Sequence, residues 1–189
     1  DEAGNVVINS GGVALDSSPA SVDVGFDLRL NDEPLGLGAG LIDTDALNVN
    51  SGGSVGGDGT YAHRNGFGGS NTFTEDVTIT VNAGGTVAPG QSIGTTTIMG
   101  DLVLTNDAIL DFEFDGLLHD EIQLINGNGT PDGSLTLDGT MNLLGTPILG
   151  QAYPLFTYEG TLIDNGLEIG AAPYGRLEIN DTGTVVEVM

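Results

Sequence analysis

Short segments in which apolar and polar residues alternate recur along the chain. Four of the clearest are Val77–Val81, Asp101–Thr105, Ile109–Phe114 and Ser134–Asp138. An alternation with a period of two places every second side chain on the same face of a β-strand, whereas the three- and four-residue spacing of an amphipathic helix is nearly absent. Clusters of Gly, Asn, Asp, Ser and Pro separate the segments, as they do at turns. The pattern therefore predicts an all-β protein.

A unit of strand, polar turn and strand is repeated within the chain. Ala46–Val55 aligns with Thr78–Val87 residue by residue, and Leu102–Leu110 and Leu177–Val185 are looser copies with different turns. Asn and Gly fill the turn of the first two copies, and both residues enter the left-handed backbone region easily. Stacked repeats of this kind predict a β-solenoid of about eight rungs, each of ~20–25 residues. A β-sandwich or jelly roll of hairpins fits the same alternation and stays the alternative.

The repeated units are unequally spaced. An Asn, Thr or Asp ends the first strand of each unit, at Asn9, Asn50, Asn82, Thr105, Asp138 and Asn180. A solenoid accommodates unequal spacing when insertions loop out at its corners. Two glycine-rich segments, Gly52–Asn71 and Pro34–Gly40, are predicted to be such loops. We expect residues 1–75 to form an N-terminal β region with glycine-rich loops, continuous with a repeat region over residues 76–189.

The chain is strongly acidic. It has 27 Asp and Glu residues against three Arg and no Lys, which gives a formal net charge of −24. Such a surface repels nucleic acids and anionic lipid headgroups, and Arg29, Arg64 and Arg176 are too scattered to form a basic binding face. No apolar stretch approaches the ~20 residues of a membrane-spanning helix. We therefore expect a folded protein without nucleic-acid partners and without membrane insertion.

Several segments together resemble the autotransporter-associated β-strand repeats of bacterial passenger domains and related large surface proteins. The matching segments are Val81–Thr95, Ile98–Leu102, His119–Leu124, Leu135–Thr140, Tyr153–Gly160 and Leu177–Val188. The resemblance covers residues 76–189 well and residues 46–60 in part. It concerns the passenger part of such proteins, without their translocating barrel.

The resemblance implies a right-handed parallel β-helix, secretion to the cell surface or matrix, and an adhesive or structural role. Parallel β-helices also include polysaccharide lyases and hydrolases, so a polysaccharide-binding or polysaccharide-cleaving protein is the alternative function. The residues favour a protein that is not an enzyme and requires no cofactor. His63 and His119 are far apart in the sequence, and no Cys or Lys is present to complete a nucleophilic site.

Candidate ligands for a metal ion lie in two acidic segments. In Asp111–Asp115 the alternation directs both phenylalanines inward and leaves three acids in an outer row. Ca²⁺ binds several carboxylate oxygens, so a row of this kind predicts a calcium site. The predicted calcium ligands are Asp111, Glu113, Asp115, Asp43 and Asp45. Solvated acids without a bound ion are the alternative, and His119–Glu121 is expected to be a solvated turn.

Two kinds of partner are predicted. Cell-surface or matrix glycans are one, with Tyr61, Phe67 and Tyr153 as contact residues in polar loops. Further copies of the chain are the other, because an unpaired apolar strand at each end of a solenoid can pair with a neighbour and build a filament. The residues predicted to take part in self-association are Val6, Val7, Ile8, Val185, Val186 and Val188.

Overall fold

The structure is a computed structural model. It describes residues 6–8, 12–14, 21–24, 27–30, 41–43, 46–64, 73–75, 77–90, 92–125, 133–172 and 178–189, with side-chain burial for residues 46–62, 77–90, 92–125, 133–172 and 178–189. Within these ranges the chain forms 22 β-strands and no helix. The all-β prediction is therefore confirmed. No described helix is long and apolar enough to cross a membrane.

The strands follow one another closely along the chain. In chain order they are β1 (Val6–Ile8), β2 (Gly12–Ala14), β3 (Ser21–Val24), β4 (Asp27–Leu30), β5 (Leu41–Asp43), β6 (Ala46–Val49), β7 (Ser54–Gly57), β8 (Thr60–Arg64), β9 (Phe73–Glu75), β10 (Val77–Val81), β11 (Thr86–Pro89), β12 (Thr95–Leu104), β13 (Ile109–Gly116), β14 (Leu118–His119), β15 (Glu121–Ile125), β16 (Leu135–Leu137), β17 (Thr140–Pro147), β18 (Tyr153–Thr157), β19 (Leu162–Asp164), β20 (Glu168–Ile169), β21 (Ile179–Asp181) and β22 (Val185–Val188).

Three parallel arrays of strands organise the fold. The first is β1-β4-β7-β11-β13-β17-β20, the second is β2-β5-β8-β12-β15-β18, and the third is β3-β6-β10-β12-β16-β19. The long strand β12 belongs to the second array in its first half and to the third in its second half. Two short strands add antiparallel hairpins at the side, β9 on β8 and β14 on β13.

The chain visits the three arrays in the same order six times within the described residues, and β20 begins a seventh pass. The described residues therefore contain fewer units than the approximately eight that the sequence predicts. Successive partners in the third array show why: Ile79 pairs with Leu102 and Leu102 pairs with Leu135, which are separations of 23 and then 33 residues. Most passes are longer than the predicted unit, so fewer of them fit into the chain.

The predicted repeat alignment is confirmed by the strand register. Leu47 pairs with Ile79 and Val55 pairs with Val87, as the sequence alignment of the two copies requires. At the corner between these strands, Nδ2 of Asn82 donates a hydrogen bond to Oδ1 of Asn50 at 3.0 Å. Side-chain and backbone bonds across this corner hold neighbouring passes in register.

Two parts of the repeat prediction need correction. Asn180 does not continue the corner column, because it lies in β21, which runs antiparallel to β22. Asn9 lies outside the described residues, as does the predicted loop Pro34–Gly40. The predicted loop Gly52–Asn71 is wrong in its first part, since it contains β7 and β8. Gly56 stands in β7 because a side chain there would collide with the backbone carbonyl oxygen of Ala88 in the next strand.

The core lies between the inner faces of the three arrays. Strand β10 shows the alternation that builds it, with Val77, Ile79 and Val81 buried and the residues between them partly exposed. The rings of Phe112 and Phe156 meet edge to face, with centroids 5.4 Å apart. Each buried side chain of this size stabilises the fold by about 1.5–3 kcal/mol through removal of apolar surface from water.

An antiparallel hairpin covers the second array after β18. Strand β22 pairs with β18 on one edge and with β21 on the other, and Val186 and Val188 are buried. The expected unpaired edge at Val185–Val188 is therefore wrong, because both edges of that strand are occupied. Strand β1 pairs with β4, and no described strand covers its other edge. Whether copies of the chain associate stays a prediction.

Candidate functional site

The predicted acidic row lies on the outer face of β13. Phe112 and Phe114 are buried, Asp111 is half-buried, and Glu113 and Asp115 are exposed. The inward and outward directions predicted from the alternation are confirmed. Because alternate residues of a strand are about 6.7 Å apart, the three carboxylates form an open row rather than a compact cluster.

The neighbouring strand β17 supplies the other side of this face. Nδ2 of Asn142 donates a hydrogen bond to Oδ1 of Asp111 at 2.8 Å, and Leu144 lies opposite Glu113 in the register. A shallow cavity of about 120 Å³ opens beside Asp111 and Glu113. Its other lining residues are Ala88, Pro89, Gly90, Ser92 and Leu144.

The two segments with predicted calcium ligands lie in different places or outside the described residues. In the described part of the chain, no three His, Asp or Glu side chains are close enough to hold a metal ion between them. Asp43 is in β5, on a different array from Asp111, and Asp45 lies outside the described residues. Calcium binding stays a prediction.

A buried carboxylate that the sequence did not reveal connects β13 to the corner before β12. Oδ2 of Asp120 accepts the backbone N–H of Glu113 at 2.7 Å, and its Oδ1 accepts the N–H of Gly94 at 2.9 Å. The N–H of Asp120 in turn donates to the carbonyl oxygen of Glu113 at 3.0 Å. The expected solvated turn at His119–Glu121 is thus wrong at its centre, where Asp120 is fully buried.

The environment of Asp120 raises the pKa of its carboxyl from 3.8 to about 7. Burial is the largest cause, because it disfavours the charged form. The backbone hydrogen bonds from Glu113 and Gly94 act in the opposite direction, and the nearby charges of Glu113 and Asp58 raise the pKa further. Asp120 therefore combines a structural role with a titration near neutral pH.

Beyond the acidic row, β13 and β17 are each followed by two exposed apolar residues, at or next to a turn. Leu117, Leu118, Ile148 and Leu149 are 64%, 64%, 48% and 68% exposed. The two turns are neighbours because Gly116 pairs with Pro147 at the end of the ladder. We call these four side chains the apolar ledge.

The apolar ledge rests on an ordered polar and aromatic support. The hydroxyl of Tyr153 donates to the carbonyl oxygen of Gly116 at 2.7 Å and accepts the N–H of Ile148 at 2.6 Å, so one side chain ties both turns together. The ring of Tyr153 packs edge to face on Phe114, with centroids 5.1 Å apart. Nε2 of His119 lies 2.9 Å from the carbonyl oxygen of Pro154. The ledge is held in place by these contacts.

Two of the three predicted glycan-contact residues are not exposed. Tyr61 and Tyr153 are buried, at 1% and 3% exposure. Their hydroxyls bond to the backbone, that of Tyr61 to Gly56. This part of the prediction is wrong, because both rings pack in the core. Phe67 lies outside the described residues.

Sequence comparison relates part of the chain to a known adhesin. No protein-family model matches the chain. The chain is 39% identical over 101 residues to the "Adhesin BmaC autotransporter" of Brucella suis biovar 1 (strain 1330). The match covers 48% of this chain and 3% of that protein. The chain thus spans a very small part of the length of this relative.

Proposed function

We propose that this chain is part of an extracellular adhesive protein displayed on a cell surface. The similarity to an autotransporter adhesin over 101 residues is the observation that carries the proposal. The strongly negative charge of −24 keeps such a chain soluble outside the cell. The role is structural and adhesive rather than enzymatic.

The proposed architecture is a right-handed parallel β-helix. Three parallel arrays entered in a constant order support a chain that coils once for each pass, and a crossover between parallel strands is almost always right-handed. In such a coil the backbone ladders run along the length of the molecule and the side chains of the outer faces are available for contacts. That division suits a protein that presents a surface to another cell.

Adhesion of coated beads tests the proposal. Beads that carry the folded protein should attach to cultured animal cells or to extracellular matrix more often than beads coated with an unrelated acidic protein of similar charge. The comparison matters because charge alone changes attachment. Equal attachment of both kinds of bead to every surface would contradict an adhesive function.

A glycan ligand belongs to the same proposal as one class of adhesion target. Its test is the bead assay after enzymatic removal of surface glycans. Loss of attachment supports a glycan target, and unchanged attachment excludes it.

Incubation of the protein with neutral and acidic polysaccharides tests the proposed lack of enzymatic activity. Cleavage that depends on one carboxylate would contradict that part of the proposal.

End-to-end association of copies is a separate proposal. Among the described strands, β1 has no partner on its second edge and β21 pairs only with β22, and these two edges support the proposal. Charge opposes it, because every copy carries the same excess of carboxylates. Sedimentation over a wide concentration range, with and without Ca²⁺, distinguishes a monomer from a growing assembly, and a constant monomer contradicts the proposal.

A further inference from the structure

We propose that the apolar ledge is a docking site for a partner protein whose contact surface combines apolar side chains with Lys or Arg. The inference rests on the proposed adhesive function and names the chemistry of its target. It is carried by three properties of the ledge: concentrated apolar exposure, a preorganised support and a negative border.

Apolar exposure is concentrated at this place. Seven large apolar side chains are exposed in the part of the chain whose burial is described, and four of them form the ledge. The other three are Leu144, Ile163 and Met189. Single exposed apolar residues are ordinary on protein surfaces, whereas these four lie on two segments that the register makes neighbours, and grouped apolar exposure is typical of contact sites. Covering the ledge would remove apolar surface from water, which favours binding.

The ledge is held in one arrangement before any partner arrives. Tyr153 bonds to both turns, and the β13–β14 hairpin pairs Phe114 with His119 and Asp115 with Leu118. A surface that is already ordered loses less conformational entropy when it binds. The ledge is therefore better suited to docking than four exposed aliphatic residues on a mobile loop, which would lose more conformational entropy on binding.

Carboxylates lie next to the ledge, and their negative charge favours a partner with positive charge. Asp115 lies directly opposite Leu118 in the hairpin. Glu113 lies two residues before Asp115 in β13 and points to the same outer face. Both side chains are exposed. The chain as a whole has a formal net charge of −24. A second copy of the chain would bring the same carboxylates to the contact, and an anionic membrane would also be repelled. A partner with Lys or Arg around an apolar centre is complementary in both respects.

Peptide binding tests the proposed chemistry. The probe is a synthetic peptide of alternating Leu and Lys, and its counterpart has Glu in place of every Lys. The test variant combines Leu117→Ser with Leu149→Ser, and the matched control is Ile163→Ser, which removes an exposed apolar side chain on β19. All variants are first checked for an unchanged melting temperature, which is expected because Leu117, Leu149 and Ile163 are between 48% and 68% exposed.

The wild-type protein and Ile163→Ser should bind the Leu/Lys peptide equally well, and the ledge variant should bind it about tenfold more weakly. Glu113→Gln combined with Asp115→Asn should also weaken binding and reduce its salt dependence, because screening acts on the charge contribution. Equal binding by the ledge variant and Ile163→Ser would overturn the proposal, since the peptide would then be held by overall charge. Binding of the Leu/Glu peptide with the same affinity would overturn the choice of a cationic partner.

The bead assay separates this proposal from the adhesive function. If wild-type beads attach and ledge-variant beads attach equally, the ledge proposal fails and the adhesive function stands. If wild-type beads do not attach, the adhesive function fails whatever the peptides show. Reduced attachment of the ledge variant alone supports both.

Discussion

The carboxylate of Asp120 occupies the position of a backbone acceptor opposite Glu113. It accepts the N–H of Glu113 at 2.7 Å, while the N–H of Asp120 donates to the carbonyl oxygen of the same residue. Asp120 therefore pairs with both the backbone N–H and the backbone carbonyl of Glu113, and its side chain continues the hydrogen bonding of the hairpin by one further position. Its second oxygen holds Gly94 at the corner before β12.

The first prediction concerns pH. The pKa of Asp120 is about 7 in the folded protein and 3.8 in the reference state, so the folded state holds this proton more tightly. The stabilisation is complete below about pH 4 and is lost as the pH rises through 7, with a total of roughly 4 kcal/mol as an upper bound. Chemical unfolding at about pH 5 and about pH 8 should show a lower free energy of unfolding at the higher pH.

Asp120→Asn should flatten this dependence, because an amide does not titrate. The variant should also be less stable at about pH 5 by ~1–3 kcal/mol, because both oxygens of the protonated carboxyl keep a lone pair for a backbone N–H, whereas the amide nitrogen accepts none. Glu159→Asn or Glu159→Gln serves as a control, because Glu159 is an exposed acid and its neutralisation should leave the slope between the two pH values intact. The assignment fails if Asp120→Asn keeps the wild-type slope.

The second prediction concerns the hairpin that covers β18. The hydroxyl of Tyr158 donates to Oδ1 of Asp181 at 2.6 Å, and Tyr158 is buried. Burial, followed by the hydrogen bond and charge of Asp181, raises the pKa of Tyr158 well above its usual value. Tyr158→Phe should lower the free energy of unfolding by ~1–3 kcal/mol and increase hydrogen exchange in Val185–Val188.

A double-mutant cycle separates this bond from packing. Tyr158→Phe and Asp181→Ala should together cost less than the sum of the two single changes, because each removes the same interaction. Strictly additive costs would mean that the bond contributes nothing in solution.

The third prediction compares two glycines. A Cβ at Gly56 would collide with the backbone carbonyl oxygen of Ala88, whereas a Cβ at Gly52 meets no atom within 4 Å. Gly56→Ala should therefore cost several kcal/mol or prevent folding, because two backbones must separate. Gly52→Ala should cost only about 1 kcal/mol, from its positive φ of 81°. Thermal unfolding distinguishes them, and similar melting temperatures would mean that β7 and β11 are not neighbours.

The fourth prediction concerns calcium. If the acidic row on β13 binds Ca²⁺, the melting temperature should rise more in Ca²⁺ than in Na⁺ at matched ionic strength, because general screening is then equal. Replacing Asp111, Glu113 and Asp115 by their amides should abolish the difference. Coincident melting curves of the wild-type protein in the two salts would exclude a specific site.

The strands were predictable because their signal is local. The alternation in Val77–Val81 depends only on which side of a strand faces the core, and the burial of Val77, Ile79 and Val81 follows it. The register was predictable for the same reason: two copies with the same turn, such as Ala46–Val55 and Thr78–Val87, pair at the offset that aligns them.

Strand direction was not predictable from alternation. Leu177–Val185 has the same apolar spacing as the repeats, yet β21 and β22 form an antiparallel hairpin. Side-chain spacing along a strand is identical in parallel and antiparallel pairs. Only the turn between the strands distinguishes them, and Thr182–Thr184 is a tight turn that returns the chain upon itself.

The candidate site was predictable only in part. The outward direction of Glu113 and Asp115 follows from the alternation. The burial of Asp120 depends on two N–H groups brought from Gly94 and Glu113, which are distant from one another in the sequence. The ledge depends on β13 and β17 both running past the end of β11, a tertiary relationship with no local signal beyond the paired apolar residues Leu117–Leu118 and Ile148–Leu149.

The unequal separations of paired residues bear on how such a protein can evolve. Ile79 and Leu102 are neighbours across 23 residues, and Leu102 and Leu135 are neighbours across 33. The shorter pass contains β12, which continues from one array into the next without a break. An insertion between two arrays therefore lengthens the connecting segment, while the strands on either side of it keep their pairing partners. The segments between arrays can therefore change in length at little cost to the framework, and the same positions are suitable places to insert a foreign peptide.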